Sequence, residues 1–175
     1  MTLHLIDADV LISAHNGYYP TTRVPEFWTW LIHHAEAGRV KMPVEMLEEV
    51  KDGTGNAEKD LLYAWLQGPG VKDALLLREE VNMETVQAVL AEAYGAGLTD
   101  VELETIGRDP FIIAHGLTDR ENRCVVSNEV SAPAKKRHNR KVPDICAQFE
   151  LKSCNLIGLI RRLDFKTAWA PAPGR

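Results

Sequence analysis

The stretch LHLIDAD, residues 3–9, is the one from which the fold can be predicted. Leu3 to Ile6 is a short apolar run, typical of a buried strand, and two carboxylates follow it within three residues. A carboxylate directly after a buried strand is costly to desolvate unless it meets a cation. The stretch therefore predicts a strand that delivers Asp7 to a polar site at its carboxyl end.

Working outward from this strand, helix and strand patterns alternate along the chain. Further short apolar runs predict strands at 40–42, 74–77, 124–126 and 154–156. Apolar residues at helical spacing, with Gly and Pro at the borders, predict helices at 21–37, 44–50, 57–66, 83–94, 103–117, 143–149 and 157–163. Such alternation predicts a three-layer α/β/α fold with a short, mostly parallel central sheet. In that fold the active site lies outside the carboxyl ends of the strands.

Length and composition favour one domain. The 175 residues, 45% of them hydrophobic, suffice for a single core, which we expect over residues 1–167 with a frayed Ala/Pro-rich tail at 168–175.

No apolar stretch approaches the roughly 20 residues that a membrane span needs, and the first ten residues lack the pattern of a signal peptide. Three cysteines without CxxC spacing and six histidines without HxxxH pairing predict neither a disulfide framework nor a zinc site. These features predict a cytoplasmic protein.

Charge is distributed unevenly. The chain has a net charge of -5, which argues against nonspecific coating of nucleic acid. The basic strip, KKRHNRK at residues 135–141, contains five Lys or Arg, so the remainder of the chain carries -10 once these five charges are set aside. Such a strip is most often a solvated loop, but its place after a predicted site strand favours phosphate contact. The candidate RNA contacts are Lys135, Lys136, Arg137, Arg140 and Lys141.

Four acidic residues are candidates for one catalytic centre: Asp7, Glu49, Asp109 and Glu129. Asp7 and Glu129 follow predicted strands, whereas Glu49 and Asp109 lie on predicted helices. Converging carboxylates repel unless a cation lies between them, and their hard oxygens suit Mg²⁺ or Mn²⁺. Simpler roles stay open, since Asp109 could only cap a helix and Glu129 could be a loop charge. Glu48 is an alternative to Glu49, and Asp9 either supports the site or caps a helix.

Four segments resemble the motifs of the PIN-domain family, in the family's order and across nearly the whole chain. They are LIDADVLI at 5–12, PVEMLEEV at 43–50, DPFIIAHGL at 109–117 and VVSNE at 125–129. Asp9 stands where many members have Asn or Ser, and Glu129 where Asp is common. RVPEFWTWL, KVPDIC and CNLIGLIRRL resemble a bacterial PIN-like subgroup.

The resemblance implies an endoribonuclease, often the VapC-like toxin of a toxin-antitoxin pair, that leaves 5′-phosphate and 3′-hydroxyl ends. It implies metal ligation by Asp7, Asp109 and Glu129 with Glu49 nearby, supported by Asp9, Ser127 and Asn128. The implied partners are RNA, a cognate antitoxin and a second copy of the chain in a homodimer.

Two other functions remain open. DADVL at residues 7–11 also fits a haloacid-dehalogenase-like phosphatase, in which Asp7 would be the nucleophile and Asp9 the acid. That family also needs a paired-acid strand end, and the chain has only Gly107-Arg108-Asp109 to offer. A PIN-like module that binds RNA or a protein without cutting is the second alternative.

Overall fold

A four-stranded parallel sheet forms the centre of the fold. The computed structural model describes residues 1–52 and 60–169. Within them the strands are β1 (Leu3–Ile6), β2 (Val40–Lys41), β3 (Arg123–Val126) and β4 (Lys152–Cys154). Their order is β2-β1-β3-β4, and every neighbouring pair is parallel. The α/β prediction is therefore confirmed, and the arrangement is consistent with three layers.

Helices connect and cover these strands. They are α1 (Ala8–Asn16), α2 (Pro25–Glu36), α3 (Val44–Asp52), α4 (Leu61–Leu66), α5 (Val71–Leu75), α6 (Met83–Val89), α7 (Asp100–Ile106), α8 (Asp109–Leu117), α9 (Val142–Gln148) and α10 (Leu156–Arg162). A π-helical turn, Leu90–Tyr94, continues α6, and a 3-10 turn spans Arg137–Asn139. Side chains that accept from backbone N–H groups explain several helix starts. Asp60 begins α4 in this way, Asn155 begins α10, and Thr99 with Glu102 forms a capping box at α7.

Close packing of α8 on the sheet positions the end of the helix that carries Asp109. The helix is buried from Pro110 to Gly116 except at Phe111, which is partly exposed. A Cβ at Gly116 would lie 2.5 Å from Leu151 Cδ2 and 3.2 Å from Val125 Cγ2. The absence of a side chain thus lets α8 approach β3 closely.

The structure corrects three details of the predicted elements. Residues 74–77 were expected to form a strand, but Ala74 and Leu75 belong to α5 and Leu76 makes only an isolated bridge with Met42. The expected helix at 103–117 is two helices, because Gly107 adopts a positive φ of 59° between them. Strand β4 begins two residues before the expected 154–156. Short apolar runs do not distinguish a strand from a buried helix, which explains the first error.

Two of the expected features, the helix at 57–66 and the tail at 168–175, lie partly outside the residues that the structure describes. The predicted helix at 57–66 is described only from residue 60, and its first three residues lie outside the described part. Most of the predicted tail, residues 170–175, also lies outside it. Trp169, within that tail, packs its ring against His33 of α2 with the centroids 5.3 Å apart. Among the described helices, none has the length and apolar character needed to cross a membrane.

Candidate active site

Asp7 lies at the carboxyl end of β1, where the chain turns into α1. Its N–H donates to Val126 O at 2.9 Å, so this residue is tied to the end of the neighbouring strand β3. The residue is only 5% exposed. Burial, followed by the charge of Asp9, raises the pKa of Asp7 to about 7. The nearby Ser127 hydroxyl and Ala8 N–H oppose this rise in the pKa of Asp7 without cancelling it. The ionised carboxylate is therefore unfavourable at this position without a further cation.

Asp9 anchors the loop that follows β3. The Asn128 N–H donates to both of its carboxylate oxygens, at 3.2 and 3.0 Å, and the Ser127 hydroxyl donates at 3.4 Å. The Asn128 side chain in turn accepts from the N–H of Leu156, at the start of α10. Burial raises the pKa of Asp9. Asp9, Ser127 and Asn128 thus link the segments that follow the carboxyl ends of β1 and β3.

Helices α3 and α8 bring two further acids to the same place. Burial raises the pKa of Asp109 well above its ordinary value, and the charges of Asp7, Glu129 and Glu49 raise it further. Glu49 also raises the pKa of Asp7 and of Asp9. Glu48 instead lies 3.8 Å from the Arg108 guanidinium. Of the two neighbouring glutamates, Glu49 is therefore the one that faces the other acids.

Glu129 completes the cluster but has protein partners of its own. Its Oε1 accepts from Lys141 Nζ at 2.6 Å, and its Oε2 accepts from the N–H of Val142 at 2.8 Å. Val142 is the first residue of α9, so the carboxylate also lies at a helix N-terminus, where negative charge is favourable. Glu129 raises the pKa of both Asp9 and Asp109. Glu129 is therefore not a solvated loop charge, and both of its carboxylate oxygens already have hydrogen-bond partners within the protein.

These five carboxylates, from Asp7, Asp9, Glu49, Asp109 and Glu129, are called the acidic cluster below. A cleft of about 400 Å³ opens beside them and is lined by Glu49, Asp109 and Glu129 together with the α7–α8 turn. The four acids expected from the sequence thus interact electrostatically at one edge of the sheet. The in-register pairing of β1 with β3, which aligns Ile6 with Val126, brings together the segments that carry Asp7 and Glu129, whereas α3 and α8 carry Glu49 and Asp109.

The chemistry of this donor set fits a hard divalent cation. All the donors are carboxylate oxygens, and three of the carboxyl groups have raised pKa values because they are buried beside like charges. A cation between them would relieve that repulsion. Within residues 1–52 and 60–169, no group of three or more Asp, Glu, His or Cys side chains is already arranged so that it could hold a metal ion.

The basic strip is largely used inside the protein. Arg137 donates to both carboxylate oxygens of Glu102 at 2.6 and 2.8 Å, and Arg140 donates to Ala93 O at 2.8 Å. Lys141 pairs with Glu129, as described above. Only Lys135 and Lys136 are exposed without such a described partner. Three of the five expected RNA contacts therefore hold the loop in place.

Tyr94 was not identified from the sequence. It is 2% exposed, and none of the described residues forms a hydrogen bond with its hydroxyl. Burial raises the pKa of Tyr94, and the charges of Asp109 and Glu129 raise it further, so the ring lies close to the acidic cluster. It ends the π-helical turn Leu90–Tyr94, and such turns are frequent at functional sites. The sequence carries no signal for a π-helical turn, because its residues continue an ordinary helical pattern.

Fold and cleft together define an α/β protein with an acidic site at the carboxyl edge of a parallel sheet. The chain belongs to the family described as Domain of unknown function (DUF4411), whose model matches residues 4–167. The crystal structure of PAE2754 from Pyrobaculum aerophilum has a similar fold, with a TM-score of 0.53 and 16% sequence identity. The similarity covers 93% of this chain and 97% of that one. At this identity it shows the fold alone. Comparison with curated proteins found no match.

Proposed function

We propose that this protein is a metal-dependent endoribonuclease of the PIN-domain kind. The observation that carries the proposal is the acidic cluster. Carboxylates from four separate segments raise one another's pKa values there, beside an open cleft. Within the cluster, burial and repulsion hold three carboxyl pKa values high, and perturbed pKa values of this kind are concentrated at functional sites. The motif resemblance described from the sequence supplies the reaction class.

Asp7, Asp109 and Glu129 would hold Mg²⁺ or Mn²⁺, with Glu49 at the rim of the cleft. Such an ion lowers the pKa of a bound water and takes up negative charge on the phosphate. The protein's own residues then have distinct tasks. The hydrogen bond from the Asp7 N–H to Val126 O holds Asp7 at the strand end, while Asp9 fixes the loop that positions Glu129. By the resemblance, the products carry 5′-phosphate and 3′-hydroxyl ends.

The position of Asp9 weighs against the phosphatase alternative. A general acid must be able to deliver its proton to the leaving group. Both oxygens of Asp9 instead accept from the Asn128 N–H, and one also accepts from Ser127. This arrangement favours a supporting role. The toxin role, a cognate antitoxin and a homodimer remain part of the proposal through the motif resemblance.

A cleavage assay with paired variants tests the proposal. End-labelled RNA is incubated with the full chain in Mn²⁺, Mg²⁺ or EDTA, and the product ends are identified. We expect metal-dependent cleavage that Asp109→Asn abolishes and Glu49→Gln reduces by at least tenfold, which is about 1.4 kcal/mol of transition-state stabilisation. Glu48→Gln is the matched control on the same helix and should leave the rate unchanged.

Each of three results would overturn the proposal. One is equal loss of activity in Glu48→Gln and Glu49→Gln, because the cluster would then have no special role. Another is RNA binding without cleavage in any metal, which would establish the non-catalytic alternative. Release of inorganic phosphate from a phosphomonoester, with intact RNA, would instead establish the phosphatase.

A further inference from the structure

A second cleft lies at the opposite end of the sheet from the acidic cluster. It has a volume of about 450 Å³ and is lined by His4, Arg39, Lys152 and Arg162, among others. His4 is the second residue of β1, Arg39 directly precedes β2, and Lys152 begins β4. These positions are at the amino ends of the strands, whereas the acidic cluster occupies the carboxyl ends. We call this the basic cleft.

The basic cleft concentrates positive charge on an acidic protein. Three of its lining residues are cationic although the chain has a net charge of -5. Of the described lining residues, none is acidic. Within the described residues none of the three cations pairs with a carboxylate. Arg162 Nη1 lies 2.9 Å from Cys124 Sγ, a thiol whose pKa is lowered to about 7, Arg39 Nη2 lies 3.4 Å from His33 Nε2, and Lys152 donates to the Glu121 carbonyl. Converging cations without counter-charges in their cleft favour an anion.

His4 adds a specific hydrogen-bonding group. Its ring is 4% exposed, and Nδ1 lies 3.1 Å from the carbonyl oxygen of Arg39. A carbonyl can only accept, so Nδ1 carries the proton and Nε2 of the neutral ring carries a lone pair. Nε2 has no hydrogen-bond partner among the described residues, and neither has the buried Nε of Arg39. Leaving such groups unpaired is unfavourable, so both are suited to a polar ligand.

We propose that the basic cleft binds a terminal phosphate group. Arg39, Arg162 and Lys152 would donate to its oxygens, and the guanidinium groups suit the geometry of phosphate. The lone pair of His4 Nε2 would accept from a P–OH group. A phosphodiester and a sulfate dianion have no such proton, whereas a terminal or free phosphate keeps one below its second pKa, which is about 6 for a monoester. At slightly acidic pH the His4 contact therefore selects a phosphate that ends a chain or is free in solution. This inference does not depend on the proposed nuclease activity.

Calorimetric titration of the full chain at about pH 6, where much of each phosphate probe still carries a P–OH group, tests this inference with inorganic phosphate, 5′-AMP and sulfate as probes. Phosphate should bind, and sulfate should bind more weakly. Arg162→Gln should weaken phosphate binding by roughly tenfold through loss of a charged hydrogen bond. Arg161→Gln removes the adjacent arginine, which does not line the basic cleft, and should change nothing. Binding of 5′-AMP at least as tight as that of phosphate assigns the site to nucleotide ends, and weaker binding assigns it to free phosphate.

A second pair of variants covers the case in which Arg162→Gln lowers the melting temperature. Lys152→Gln should weaken phosphate binding, and Lys166→Gln, outside the basic cleft, should not. The inference is overturned by sulfate binding as tightly as phosphate, by equal effects of Arg161→Gln and Arg162→Gln, or by the absence of phosphate binding to the wild-type chain.

Discussion

Glu129 and Lys141 form an ion pair in which Lys141 Nζ lies 2.6 Å from Glu129 Oε1. From the sequence, Glu129 was expected to bind a metal ion and Lys141 to contact RNA. The pair shows that one candidate site residue neutralises another in this structure. Any divalent cation that uses Oε1 of Glu129 must therefore compete with the lysine.

Replacing Lys141 with Met should raise the affinity for Mn²⁺. The change removes a positive charge that competes for Glu129, while the Val142 N–H still orients the other oxygen. At a partly exposed position a unit charge about 4 Å away is worth on the order of 1 kcal/mol, so we expect a several-fold gain. Calorimetric titration of Mn²⁺ measures it. Lys135→Met, from the exposed part of the same strip, is the control. Unchanged affinity in Lys141→Met would remove Glu129 from the ligand set.

Sequence reasoning predicted that four acids meet because Asp7 and Glu129 follow strands, Asp109 begins a helix and Glu49 lies near the end of one. Asp7 follows an apolar run, and Asp109 precedes a proline that begins α8, so local patterns sufficed for both. The parallel sheet followed from the alternation of elements. Choosing Glu49 over Glu48 required the orientation of α3, because the two neighbours differ only in which direction they face.

Contacts between distant segments could not be predicted in this way. The strip at residues 135–141 reads as one basic patch, yet Arg137 is fixed by Glu102, more than thirty residues earlier. Tyr94 reads as an ordinary core aromatic. Its unpaired hydroxyl beside the cluster depends on how α8 and α9 pack around it. Local pattern contains no information on such pairings.

Asp7→Asn should abolish RNA cleavage and leave the fold as stable as before or more stable. The substitution removes a buried charge that burial and Asp9 disfavour. We expect a gain of up to roughly 2 kcal/mol in unfolding free energy at pH 8 in EDTA. Urea unfolding and the RNA assay measure the two effects separately. Asp73→Asn, which removes an exposed carboxylate paired with Arg78, is the control for both. A variant that loses activity only because it unfolds would contradict this prediction.

Tyr94→Phe should lower cleavage without destabilising the protein. The phenol hydroxyl is buried and has no described partner, so its removal costs no protein hydrogen bond. The hydroxyl does not line the cleft, so its effect on cleavage would come through the neighbouring carboxylates of Asp109 and Glu129 rather than through contact with the substrate. We therefore expect an unchanged or higher melting temperature with a cleavage rate reduced several-fold. Tyr63→Phe on α4 is the matched control. A drop in melting temperature with normal cleavage would show that the hydroxyl serves the fold.

Acid should destabilise the protein in part through His34. Burial, then the charges of Arg39 and His33, lower the pKa of His34 to about 4 from an ordinary value of 6.5. Between these pH values the unfolded chain binds the proton and the folded chain does not. The stabilising contribution of neutral His34 is therefore complete above pH 6.5 and is lost as the pH falls towards 4.

The matched variant for this pH effect is His34→Gln, which cannot titrate. Urea unfolding at several pH values should show wild-type stability falling more steeply with acid, by on the order of 2 kcal/mol between pH 7 and 4. The difference between the two slopes isolates His34 from other titrating groups. Parallel slopes for the two proteins would contradict the shift.

The last prediction concerns the exposed part of the basic strip, Lys135 and Lys136. In the sequence they lie between Glu129, which follows β3, and Arg137 and Lys141, which hold the loop in place. Phosphate contacts by lysine position a nucleic acid without reading its bases. Replacing both with Ala should weaken binding of many single-stranded RNAs alike. It should flatten the salt dependence of binding by roughly 0.7 per lost contact, about 1.4 in all, and leave Mn²⁺ binding unchanged.

Arg137 is kept in this variant because its pair with Glu102 connects the loop to α7. Its removal would confuse a loss of contact with a movement of the loop. The control is the double replacement of Lys72 and Lys166 with Ala, which removes the same charge from exposed positions elsewhere. RNA affinity is measured against salt for the wild type and both variants. If the slopes of the two variants are equal, only net charge matters, and the two lysines make no local contact with the RNA backbone.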